Sequence, residues 1–191
     1  MDSGRLEAFT DGVIAIVITI MVLNMVTPAG AGLAALRDAT PVFLAYVLSY
    51  VNVGIFWNNH HHMLHATDRV DGRVLWANLF LLFWISLMPF AIRWMNEAHY
   101  ASMPTAAYGV TLMMASLGYV LLERTIVACN GATSKLARAV GRDRKANLSL
   151  VGYAISIPLS FLHPAIAITT YVAIALMWLV PDRRIESVLR E

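Results

Sequence analysis

Charge, cysteine and signature loops are all scarce in this chain, and each shortage excludes something. Only 14% of the 191 residues are charged, against about a quarter in an ordinary soluble domain. Apolar residues make up 59% and the mean hydropathy is +0.64. A soluble fold of this size has too little interior to hide that much apolar surface, so lipid must cover much of it. The single cysteine, Cys129, rules out an intrachain disulfide framework and a thiolate metal cluster within one chain. No glycine-rich phosphate loop, dinucleotide fingerprint or nucleic-acid motif is present, so nucleic acid is not expected as a partner. No internal repeat stands out. The net charge of +2 is small, and the placement of the charges says more than their sum.

Crossing a bilayer takes about 20 mostly apolar residues in a helix. Six segments qualify or nearly qualify, at about 6–26, 41–63, 74–95, 105–128, 148–162 and 164–180. They predict an all-α integral membrane protein forming one six-span domain over 1–191. Thr27–Pro28 ends the first segment, Thr40–Pro41 opens the second and Pro104 opens the fourth. His163–Pro164 leaves only a tight turn, so the fifth and sixth spans should form an antiparallel hairpin, with Pro158 kinking the fifth. Trp57, Trp76, Trp94 and Trp178 fall near predicted span ends, as in an interfacial belt.

Lys and Arg sort by connection. Arg5, Arg69, Arg73, Arg124, Lys135, Arg138, Arg142, Arg144, Lys145, Arg183, Arg184 and Arg190 share one predicted side, and only Arg37 and Arg93 lie on the other. The positive-inside rule then puts both termini in the cytoplasm, with the protein in the cell (cytoplasmic) membrane. The basic stretch 130–145 reads as a solvated topology signal rather than a lipid or regulatory site. A signal-peptide reading of residues 1–35 fails on charge, because Asp2, Glu7 and Asp11 outnumber Arg5 where that region should be positive.

The first span carries Arg5, Glu7 and Asp11 at its start, followed by an Ile/Val-rich run interrupted by Thr19. Charges there are costly unless they face protein or water, which argues for a helix inside an assembly. Arg5, Phe9, Gly12, Ile16, Thr19 and Leu23 are spaced 4, 3, 4, 3 and 4 apart, one stripe of a helix. Asp11 points about 100° away from Gly12, toward neighbouring helices. Periodicity alone does not separate a pore-lining stripe from a packing face, because nearly every residue in the run is apolar.

The second span ends in Trp57-Asn58-Asn59-His60-His61-His62-Met63-Leu64-His65. His61 and His65, one turn apart, are weak candidates to share a metal ion. No His-Glu-x-x-His is present, so a metalloprotease is not expected. A hydrogen-bond network with Asp11 is the simpler reading, with His or Trp57 donating to the carboxylate and Arg5 balancing its charge. Ser86, Ser116, Ser156 and Ser160 read as packing residues, Arg93 as a side chain reaching for headgroups, and Asn24 as an outer-mouth or capping residue.

The run Arg5-x-x-x-Phe9-Thr10-Asp11-Gly12, leading at once into an Ile/Val-rich helix, resembles the Arg-x-x-x-Phe-Ser-Asp motif of the transmembrane protein 175 family. These are potassium-permeable cation channels of animal lysosomes and of bacteria. The likeness extends to span count and size, and Thr10 in place of the usual Ser keeps the hydroxyl. It implies a homotetramer whose first helix lines the central pore. It further implies that Ile16 forms the main hydrophobic constriction, that Thr19 is the hydroxyl position tied to potassium preference, and that Leu23 forms a further narrow ring, with Ile20 sharing the lining. In the family the motif joins a polar network with the second and third spans, for which Trp57, Asn58, His61 and Asn78 are the candidates here.

The function expected on this basis is passive potassium flux with no enzyme activity and no cofactor, K+ being the permeant ion. No Thr-Val-Gly-Tyr-Gly filter is present, so carbonyl rings cannot select the ion. Four Ile16 side chains would gate by dewetting, and four Thr19 hydroxyls would replace part of the hydration shell of a monovalent cation. The alternatives are an ion-coupled secondary transporter, an intramembrane metal-binding protein or hydrolase using the His cluster, and a structural subunit. Pro89 and Pro158 hint at broken helices, but paired interruptions and a midplane acid, which carriers tend to show, are missing.

Overall fold

A helix satisfies its backbone N–H and C=O groups within one segment, as lipid demands, and the residues that the computed structural model describes, 3–67, 69–131, 133–140 and 144–179, form helices joined by short connections. In chain order the helices are α1 (Gly4–Leu23), α2 (Leu33–His65), α3 (Gly72–Ser86), α4 (Met88–Glu97), α5 (Ser102–Asn130), α6 (Lys135–Val140), α7 (Arg144–Leu159) and α8 (Pro164–Leu179). Among the described residues, four apolar segments are long enough to cross a membrane: α1, α2, α3–α4 taken together over 72–97, and α5. Helix α8 is apolar but has 16 residues, as does α7. Arg142, Val180, Arg183, Arg184 and Arg190 lie outside the described residues.

Two boundaries differ from the sequence expectation, each for a reason of backbone chemistry. Helix α2 begins at Leu33 and passes through Pro41. The proline removes one ladder hydrogen bond without ending the helix, and its own carbonyl accepts from the Tyr100 hydroxyl at 2.8 Å. At 33 residues, α2 is about 50 Å long, well beyond the roughly 30 Å hydrocarbon core. The third span is broken at Leu87, because Pro89 has no N–H with which to continue the ladder. At the start of α3, Asp71 accepts from the N–H groups of Arg73 and Val74, both at 3.0 Å. The Val74 bond, with the Arg73 charge and bonds, holds the Asp71 carboxyl below its usual range despite the cost of desolvating it.

Helix α5 is the scaffold. In its most apolar 18-residue stretch 61% of residues are buried, against 28% in α1. Gly118 lets α3 approach so closely that a Cβ there would lie 2.9 Å from the Leu81 Cα. Tyr171 of α8 lies over Gly109, its hydroxyl donating to the Thr105 carbonyl at 3.2 Å. Helices α7 and α8 run antiparallel across the turn at Ser160–His163. Trp178 Nε1 donates to Ser149 Oγ at 2.8 Å, and Gly152 faces Ile174. The Asn130 side chain closes the bundle end by accepting from the Arg69 N–H at 2.9 Å and donating to the Arg69 carbonyl at 3.0 Å.

Gly118→Ala should force α3 and α5 apart, because the obstacle is backbone rather than a flexible side chain. A loss of about 1–3 kcal/mol is expected, read as a lower unfolding temperature of the purified protein.

Candidate functional site

Helix α1 has two unlike faces. Leu6, Thr10, Ile14, Val17 and Met21 recur every three or four residues and are buried against α2, α3 and α4. On the other side Arg5, Phe9, Gly12, Ile16, Thr19 and Leu23 are all exposed within the subunit, Ile16 at 60% and Leu23 at 81%. Ile20, at 42%, flanks that stripe. Such exposure of apolar side chains is ordinary against lipid, so a second feature must say what the stripe is for.

That feature is the polar contact fixing the rotation of the helix. Asn78 of α3 donates through Nδ2 to Thr10 Oγ1 at 2.9 Å, and its Oδ1 lies 2.8 Å from His60 Nε2. With the amide nitrogen directed at Thr10, Oδ1 must accept, so His60 carries its proton on Nε2. Thr10, His60 and Asn78 are each at most 1% exposed. Beside this chain, Trp57 Nε1 donates to Asp11 Oδ1 at 2.8 Å. Hydrogen bonds to a charged partner contribute about 1.5–3 kcal/mol each. Trp57 also stacks on His61, with ring centroids 5.7 Å apart and planes 24° apart.

Several candidates take other places. Asn58 is exposed and outside this network, because the residue at its height that faces α1 is Trp57. His61 does not meet Asp11; its Nδ1 lies 2.9 Å from Glu7 Oε1, and His65 Nε2 lies 3.5 Å from the same oxygen. Arg5 is exposed and, among the described residues, makes no ion pair with Asp11. Arg93 pairs with Glu97 at 2.7 Å. Asn24 caps α1, its N–H bonded to the Ile20 carbonyl at 3.1 Å, and lines a groove with Ile16, Ile20, Ser86 and Arg93.

Two participants escaped the sequence reading, His60 and Glu7. The signal for His60 was its place seven residues after Val53 and four before Leu64, on the buried line of α2. Glu7 was visible as a charge at the helix start, four residues before Asp11, but its partners sit on another helix.

The fold and the site define a multi-pass, all-helical membrane protein whose first helix is held by polar bonds from two neighbouring helices. The family model for the endosomal/lysosomal potassium channel TMEM175 matches residues 5–89, which take in α1 from its second residue and all of α2 and α3. Over all 191 residues the chain is 49% identical to a protein of Chryseobacterium sp. (strain P1-3) named as a potassium channel, with both chains fully covered. The chain belongs to the TMEM175 family. It is also 36% identical over 107 residues to the endosomal/lysosomal proton channel TMEM175 of Danio rerio, a match covering 49% of this chain and 20% of that protein. In fold it is similar to the crystal structure of a lysosomal potassium-selective channel TMEM175 homolog from Chamaesiphon minutus. The TM-score is 0.82 at 21% identity, over 94% of this chain and 97% of that one.

Asn78→Ala orphans the buried His60 Nε2–H and removes the donor to Thr10. Each unsatisfied buried group costs about 1–3 kcal/mol, so the unfolding temperature should drop clearly further than in Asn58→Ala, which should match the parent protein.

Proposed function

We propose that this protein is a passive potassium channel in which four copies surround a pore lined by the exposed stripe of α1. The observation that carries this reading is the two-faced α1. The helix that bears the charged motif is at the rim of the single subunit, and its buried face is pinned by Thr10 and Asp11, which turns Ile16, Thr19 and Leu23 outward together. A motif with charges is expensive against lipid and is accommodated when copies of the chain close around it.

Thr19 has the chemistry a cation needs. Its hydroxyl donates to the Ile16 carbonyl at 2.8 Å, so the proton is occupied within the helix and the oxygen lone pairs are left to face outward. A ring of four such oxygens replaces part of an ion's water at low field strength. Potassium gives up its water more readily than sodium or a divalent ion, so it is favoured. Ile16, one turn nearer the N terminus, supplies an apolar ring that excludes hydrated ions by dewetting until it widens or rotates. Leu23 narrows the pore beyond Thr19, and Ile20 shares the wall.

The six-span topology and the cytoplasmic termini are part of the same reading. In it α7 and α8 serve as the fifth and sixth spans, a hairpin packed on α5. Arg69 and Arg73 reach the bundle end where Asn130 closes α5, the end that also holds the start of α1 beside His61. Arg37 and Arg93 belong to the opposite end, which is the distribution expected with the first end in the cytoplasm.

Purified protein in liposomes should pass K+ in preference to Na+ down a gradient, with no second solute required. Ile16→Asn replaces the apolar ring with groups that hold water. Removing about 1.4 kcal/mol of barrier raises the leak tenfold, and an increase of about that size or more is expected. Thr19→Val should narrow the K+ preference over Na+. Unchanged flux in both variants would remove α1 as the pore wall, and proton uptake without K+ flux would contradict potassium as the permeant ion.

A further inference from the structure

We infer that Glu7, His61 and His65 form a binding site for a divalent transition metal of the zinc class, which ties α1 to α2 at their shared end. The proposal goes beyond potassium conduction and does not depend on it. One donor atom from each of the three residues lies within 4.8 Å of the other two. Ligands on a tetrahedral zinc, bound at 2.0–2.2 Å, are about 3.4 Å from each other. His65 Nε2 to Glu7 Oε1, at 3.5 Å, already matches that spacing. His61 Nδ1 to the same oxygen, at 2.9 Å, needs to open by a few tenths of an ångström, a side-chain adjustment.

The arrangement follows from the helix geometry. His61 and His65 are one turn apart on α2, with ring centroids 4.4 Å from each other, and Glu7 reaches them from the first turns of α1. The neighbouring Asp11 is engaged by Trp57, so Glu7 is the carboxylate left facing the two rings. All three side chains remain open to water, at 22% for Glu7, 37% for His61 and 55% for His65, which gives an ion a way in. Two imidazoles and one carboxylate suit zinc far better than magnesium or calcium, which take oxygen ligands. With three protein ligands, the fourth position falls to water.

The test is a zinc titration by calorimetry on tag-free, full-length protein in detergent, with magnesium as the control ion. The expected result is one zinc per chain, unaffected by millimolar magnesium. His65→Ala leaves the closer His61–Glu7 contact in place. It should weaken zinc binding by more than the roughly 10- to 100-fold that follows loss of a mere outer-sphere partner. Zinc bound equally well by H65A, or no stoichiometric binding by the parent protein, would overturn the proposal. Should H65A fail to fold, zinc-edge X-ray absorption on the parent protein decides. Two imidazole nitrogens with carboxylate or water oxygen support the site, and a shell of oxygens alone refutes it.

Discussion

In lipid an apolar helix gains little by turning one side rather than another toward its neighbours, because the acyl chains are as apolar as its own side chains. Helix α1 is apolar nearly all round beyond Gly12, so its rotation has to be set by something else. The setting is polar. Asn78 holds Thr10 from α3 while itself accepting from the buried His60, and Trp57 holds Asp11 from α2. Two adjacent residues of α1, gripped by two different helices, leave the helix one angle about its axis. Everything ascribed to Ile16, Thr19 and Leu23 depends on that angle.

The grip in turn depends on where α3 stands. Asn78 is three residues before Leu81, whose backbone seats on Gly118 of α5. The close approach of α3 to α5 therefore positions the amide that fixes α1. The break at Leu87 allows α4 to diverge from α3 and form, with Pro89 and Arg93, the far wall of the groove beside Ile20 and Asn24. Within the subunit α5 is deeply buried and α1 only lightly, so α1 keeps one face uncovered.

Much of this was legible in the residues. The motif at Arg5–Gly12 and the stripe it starts were readable because a helix of fixed pitch converts spacing into direction, and the hairpin at His163–Pro164 because so short a turn permits little else. What stayed hidden was set by depth. Four consecutive or near-consecutive histidines look alike in a sequence, yet His60 is buried on Asn78 while His61 and His65 turn to Glu7 at the surface. Asn58 and Trp57 are neighbours on α2 that project about 100° apart, and only one can face α1. Pro41 reads as a helix start, yet α2 runs through it from Leu33, losing only the ladder bond that the missing N–H would have made to the Arg37 carbonyl.

The most direct test is chemical access to position 19. In a Cys129→Ser background, Thr19→Cys provides the only thiol in the chain, and Leu176→Cys places an exposed thiol on α8 rather than on α1. A small water-soluble thiol reagent added during potassium flux should stop conduction through the Thr19→Cys protein and leave the Leu176→Cys protein conducting. Continued conduction after the reagent has been shown to reach Thr19→Cys, or equal block at both positions, would contradict an α1 stripe that faces a shared ion path.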